Sequence, residues 1–282
     1  MKIHCTSGRV RVLYVNESEA LGPAMARYFA SKLWAGESYF AQADSHLQWA
    51  HEWDAKYIEE VGLAANFPKA VLSSYPPGFG EHWEGTPGRR LCTCQFSTSP
   101  IESDIIRINV GGSSKADAPA PTQIAYIAAG FFFTTAGFLR DVPFDPILPW
   151  CFMGEEIALS SRAWTAGYNI YAPRRNYIAH EYRPGRMGLP KFWGSVGRLF
   201  HRPGFNTPLQ LKAVQRIKHL IGYEDAATDK VEVAGNLDVL TEFDNYAMGH
   251  ERSLADYLQL VGIDVVNKKC NAISWCNREE LA

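Results

Sequence analysis

Asp44, Ser45 and His46 close the run Phe40-Ala41-Gln42-Ala43, which reads as a short apolar strand. In an extended segment, side chains at i and i+2 lie on one face, so Asp44 and His46 are placed to grip one cation from the same side. A carboxylate and an imidazole suit Mg²⁺ or Mn²⁺ carried by a substrate phosphate, with the histidine favouring Mn²⁺. Such a metal neutralises a diphosphate as it leaves. Asp44 and Ser45 suit a helix cap equally well, and in isolation that is the commoner use of the pair.

A second set of residues lies about one hundred positions on. The stretch Trp150-Cys151-Phe152-Met153-Gly154-Glu155-Glu156-Ile157 brings two acids to a helix start, after the proline-bounded loop Val142-Pro143-Phe144-Asp145-Pro146. Adjacent acids there interact well with the helix dipole, and that alone accounts for them. Carboxylates on a rigid element are also good ligands for sugar hydroxyls, above all beside a glycine such as Gly130 that lets a ring approach. A third set is His180-Glu181-Tyr182-Arg183. His180 at a strand end can complete a three-ligand site with Asp44 and His46, although a lone histidine is more often structural. Arg183 and Arg186 can pair with phosphate oxygens or stand in a solvated basic loop.

The elements that would hold these residues follow an α/β pattern. Strands are expected over residues 10–15, 38–43, 70–72, 169–172 and 177–180, with a buried strand or turn within 124–135. Helices are expected over 23–34 (opened by Pro23 and stopped by Gly36), 53–61, 155–167, 209–220 and 253–260. Residues 111–121 are rich in Gly, Ser, Ala and Pro and read as a surface loop. A βαβ unit should make 10–15 and 38–43 parallel neighbours, with 23–34 as the crossover.

Composition sets the outer bounds. At 282 residues the chain suffices for one large α/β domain, or a domain with an appendage. Its 28 basic and 30 acidic residues nearly cancel, so nucleic acid and membrane surfaces are not indicated as partners. No apolar run approaches the roughly 18 residues that a membrane span needs. The six cysteines are scattered, and Cys92 and Cys94 lack the second pair of a zinc site. Reduced thiols in a cytoplasmic protein are the expectation.

Taken in order, the three sets resemble a family of polypeptide N-acetylglucosaminyltransferases. It includes the cytoplasmic type that modifies a hydroxyproline on an adaptor subunit of cullin ubiquitin ligases. The segments that carry the resemblance are Leu21-Gly22-Pro23-Ala24-Met25-Ala26-Arg27, residues 39–46, Ala128-Ala129-Gly130-Phe131, 142–146, Gly154-Glu155-Glu156-Ile157, 162–167, His180-Glu181-Tyr182 and the tail over 246–264. The resemblance runs from about residue 10 to the end of the chain. It implies a GT-A fold, a Rossmann-like mixed sheet flanked by helices with a helical C-terminal part. It further implies a UDP-GlcNAc donor, a divalent metal (Mn²⁺ or Mg²⁺), a protein hydroxyl as acceptor and retention at the anomeric carbon. Carried over, Asp44, His46 and His180 are the expected metal ligands and Glu155 and Glu156 the catalytic pair. Arg27, Gly130, Phe131 and Arg183 are the expected donor-binding residues. One domain over 1–282 is expected, with a GT-A core at 9–190 and a helical extension at 191–282.

Members of that family begin with a strand, a helix and a second strand that bind the uridine. Residues 1–8 do not supply such a unit. The expected consequences are an incomplete uridine pocket, an exposed apolar edge beside Val12 and Tyr14, and self-association into a homo-oligomer. The alternative function is a catalytically impaired sugar- or protein-binding relative of the family. A different metal-dependent transferase or hydrolase would leave the sugar-side motifs unexplained.

Overall fold

The computed structural model describes residues 6–16, 19–80, 82–99, 102–182, 206–224 and 238–277. Its centre is a five-stranded sheet of β1 (Tyr39–Ala43), β7 (Phe131–Thr135), β3 (Ala70–Ser73), β8 (Asn169–Ala172) and β6 (Thr122–Ile124), in that spatial order. β3 and β8 are parallel, and every other pairing is antiparallel, so the sheet is mixed.

Period-two alternation assigns each strand residue to a layer. Phe131 and Phe133 of β7, Leu72 of β3 and Tyr171 of β8 pack under Tyr57 and Val61 of helix α2 (Trp53–Gly62). Phe132, Val71 and Ile170 point the other way, into a larger core with Ile157 and Ala158 of helix α4 (Glu155–Thr165). The sheet is therefore buried on both faces, which explains why Phe131-Phe132-Phe133 carries no polar alternation.

Around this centre, helix α1 (Pro23–Ser31) buries Ala24 and Met25. Strands β2 (Leu47–Trp49) and β9 (Ile178–His180) form a separate antiparallel pair. β4 (Arg89–Phe96) and β5 (Ile106–Ser113) form a long twisted pair with two register shifts. Helix α3 (Phe138–Asp141) is a single turn after β7. Helix α5 (Asn206–Leu220) is tied to the 143–149 loop by Arg216, whose Nε donates to Asp145 at 2.6 Å. Helix α6 (Leu254–Leu260) is capped by Ser253, whose Oγ accepts from Asp256 N at 3.0 Å. The hairpin of β10 (Ile263–Asp264) and β11 (Lys269–Cys270) and the last turn, α7 (Ser274–Asn277), follow.

Three expectations are corrected here. Residues 10–15 are not a strand: Val12 is 69% exposed and Tyr14 79%, and β1 pairs within its sheet with β7 alone. β-branched residues make a strand only where a neighbouring edge pairs with them, and the described residues bring none to this segment. Among the described residues the parallel βαβ unit is accordingly absent, and with it the exposed sheet edge expected beside Val12 and Tyr14, although both side chains are themselves exposed. Second, the stretch read as a loop from 111 begins inside β5, which runs to Ser113.

Third, the thiols are paired. Cys92 bonds to Cys276 and Cys94 to Cys270, with Cα atoms 5.4 and 5.6 Å apart, and only Cys151 among the described cysteines is free. Cys92 and Cys94 sit at i and i+2 on β4, so both reach the same C-terminal hairpin and turn. Disulfides persist in oxidising compartments, so the thiol argument for a cytoplasmic location falls. No helix among the described residues is long and apolar enough to cross a membrane.

Peptide mapping without reductant should recover both linked pairs, Cys92–Cys276 and Cys94–Cys270. Each closes a loop of more than 170 residues, so reduction should lower stability by about 2 to 5 kcal/mol per bridge, seen as an earlier urea transition.

Candidate active site

Asp44 follows the last residue of β1, and its N–H donates to Gly130 O at 3.0 Å, just before β7 begins. A Cβ on Gly130 would stand 3.2 Å from Asp44 Oδ2, so a larger residue would crowd this carboxylate. His180 arrives from the other side at the end of β9, paired with Leu47 of β2. Its Nε2 lies 3.9 Å from Asp44 Oδ2, and its Nδ1 is buried without a hydrogen-bond partner. The ring stands edge-on to Tyr182, at 4.4 Å between centroids, and the Tyr182 hydroxyl donates to Pro76 O.

His46 does not join them. β1 ends at Ala43 and β2 starts at Leu47, and His46 has a left-handed backbone (φ 61°), so strand alternation does not extend across Asp44-Ser45-His46. Its Nδ1 lies 3.0 Å from Ser45 Oγ. Its carbonyl accepts from Glu181 N at 3.0 Å, which keeps its main chain beside His180. Among the described residues no three His, Cys, Asp or Glu side chains converge as a metal site.

Arg27 of α1 stands between the two acidic sets. Its Nη2 donates to Asp44 Oδ1 at 3.2 Å and to Ala129 O at 3.1 Å, and its Nη1 pairs with Glu155 Oε2. Gly154 makes that reach possible. Its φ of 95° is left-handed, and a Cβ there would come within 2.9 Å of Ile217. Burial pushes the Glu155 carboxyl above its usual range; Arg27 opposes the rise and the charge of Asp44 adds to it.

Glu156 turns elsewhere. Its Oε1 accepts from the Tyr75 hydroxyl at 2.6 Å and from Ala129 N at 2.9 Å. Burial raises it from 4.5 to about 7, against the lowering effect of both hydrogen bonds.

Of the remaining sequence candidates, Phe131 is 1% exposed and its ring packs on Tyr57, so its side chain belongs to the core. Arg183 and Arg186 lie outside the described residues. Tyr75 and Gln42 were not singled out in the sequence. Gln42 Nε2 donates to Ala129 O at 2.6 Å. As the one polar residue within β1 it carried a legible signal; Tyr75, before two prolines, carried none.

A family model for glycosyltransferase (GlcNAc) matches residues 2–267. The chain belongs to this glycosyltransferase family. No curated protein sequence matches the chain. Among solved structures, this glycosyltransferase is similar to GalNAc-T7, in a crystal structure with UDP, GalNAc and Mn²⁺. The TM-score is 0.57 at 15% identity, covering 92% of this chain and 46% of that one. That likeness fixes the architecture as GT-A, and the chain spans less than half the length of its structural relative.

Two measurements bear on this geometry. Arg27→Leu strands Glu155 beside Asp44 without a counter-charge. It should cost about 3 kcal/mol, and Arg27→Leu combined with Glu155→Leu should cost clearly less than the two singles summed. Glu156, raised in the folded state, contributes stability that is full below 4.5 and is lost as pH rises through about 7. The melting temperature of Glu156→Gln should therefore gain on that of the wild type across this window and run parallel to it above.

Proposed function

We propose that this glycosyltransferase moves N-acetylglucosamine from UDP-GlcNAc to a protein hydroxyl, with retention, using Mn²⁺ or Mg²⁺ held by Asp44 and His180. The observation that carries the reading is the meeting of Asp44 with His180 next to the Arg27–Glu155 pair, at the strand ends where α/β folds hold their ligands. Two donors that bind one ion at about 2.1 Å each stand roughly 3 to 4 Å apart, so the 3.9 Å separation fits a shared cation. Nε2 is the ring nitrogen that faces Asp44, and the buried Nδ1 has no hydrogen-bond partner. The GalNAc-T7 structure, determined with UDP, GalNAc and Mn²⁺, supports the same choice of metal and nucleotide.

Bound there, the ion would neutralise the departing diphosphate. The chain's own groups do the rest. Glu155 presents a buried carboxylate to sugar hydroxyls. Arg27 holds that carboxylate and Asp44 in register, and Gly130 keeps the floor of the cleft free of side chains. Arg183 remains the proposed partner of donor phosphate. No side chain is assigned as a nucleophile. One catalytic unit over 1–282 is part of the proposal, supported by the covalent ties from β4 to the C-terminal hairpin and turn. A hydroxyproline peptide from a cullin-ligase adaptor is the first acceptor to try, followed by serine and threonine peptides.

UDP-GlcNAc with Mn²⁺ should raise the melting temperature by several degrees, as ligands of the folded state do. Asp44→Ala should abolish the metal-dependent part of that rise. Glu155→Ala should cut transfer at least a hundredfold while the protein stays folded. Donor binding with no transfer to any hydroxyl peptide would leave the sugar-binding relative as the answer. No metal-dependent binding at all would overturn the reading.

A further inference from the structure

Ile127, Ala128, Ala129 and Gly130 are the last four residues of the loop between β6 and β7, and three consecutive N–H groups of this loop end on side chains. Ile127 N donates to Ser160 Oγ at 2.8 Å, Ala128 N to Ser73 Oγ at 2.8 Å, and Ala129 N to Glu156 Oε1 at 2.9 Å. Both serine hydroxyls spend their own protons elsewhere, on Glu156 O and Phe131 O, and so are fixed as acceptors. Ser160 and Glu156 are four residues apart, on one face of α4.

The carbonyls of the same loop point the other way. Ala129 O receives Arg27 and Gln42, and Gly130 O receives the N–H of Asp44. One short segment thus ties the buried acceptors of α4 and β3 to the residues that face the donor. Glu156 is the outermost of the three holds and the only one that is ionisable. Its rotamer is fixed in turn by the Tyr75 hydroxyl.

We propose that Glu156 is a positioning residue: its Oε1 holds Ala129 N–H, so that Ala129 O and Gly130 O aim Arg27 and Asp44 into the cleft. The two neighbouring acids then do different work. Glu155 is needed for its charge opposite Arg27. Glu156 is needed for an acceptor oxygen, which a glutamine also supplies. The effect on transfer rests on the reading given above, whereas the hold on Ala129 does not.

The test is a pair of substitutions read in two ways. Amide exchange of Ala129, followed by nuclear magnetic resonance, reads the hold directly. Transfer from UDP-GlcNAc with Mn²⁺ reads its consequence. Glu156→Ala should speed Ala129 exchange at least tenfold and lower kcat/KM at least tenfold. Glu156→Gln should keep exchange at the wild-type rate and transfer within about threefold of it, whereas Glu155→Gln should lose transfer. Tyr75→Phe frees the Glu156 rotamer without touching the loop, and should give intermediate values of both readings even if Glu156→Ala does not fold.

Three results would overturn the proposal: unchanged Ala129 exchange in Glu156→Ala and Tyr75→Phe, a Glu156→Gln enzyme as impaired as Glu156→Ala, or full transfer by Glu156→Ala. A wild type that transfers nothing would sink the functional reading, and Ala129 exchange would still decide whether Glu156 holds the loop.

Discussion

One guanidinium balances the two acids of the candidate site. Arg27 meets Glu155, Asp44 and a main-chain carbonyl at once, and each of the three comes from a different element. Bringing two carboxylates together in a partly buried space is unfavourable without such a counter-charge. The placement of Arg27 therefore constrains α1, the end of β1 and the start of α4 together. Trp150 N–H donates to Leu21 O and joins the approach to α4 to the approach to α1, which keeps these elements in step.

The mixed sheet supplies the stiffness that this arrangement needs. β7 lies between β1 and β3 and borders the candidate site. Its first residue leaves the loop that contacts Arg27 and Asp44, while its phenylalanines lock both layers. A shift of β7 along its neighbours would move Gly130 away from Asp44 and pull Phe132 out of the α4 layer at the same time. Packing thus protects the register on which the cleft depends.

Much of the site was legible because local chemistry and local structure agree there. Asp44 after an apolar strand, His180 at the end of another and Gly154 before two acids all sit at element boundaries, where turn and cap signals are strong. Other features are set by distant contacts. Nothing around Cys92 and Cys94 indicates that partners some 180 residues away lie against β4. The valines of 10–15 have strand character, but a strand also needs an edge to pair with. The alternation argument for His46 failed because it was carried past the strand, which ends at Ala43 as expected, three positions before His46, and His46 itself takes a left-handed backbone. The likeness of Glu155 and Glu156 in sequence hides opposite surroundings, which only the tertiary positions of Arg27 and Tyr75 reveal.

The bridge between Cys92 and Cys276 also divides the molecule mechanically. Under tension applied beyond the bridge on either side, the disulfide bears the force, and the chain between the two cysteines, 184 positions apart, stays unextended. The part ahead of Cys92, which contains Arg27, Asp44 and Tyr75, lies outside the closed loop and can unravel. Ala129, Glu155, Glu156 and His180 remain inside the closed loop. A pulling experiment would then part the candidate site, with the leading segment extending by roughly 3.5 Å per residue released. The boundary that this bridge draws between extensible and inextensible chain would thus run through the candidate active site.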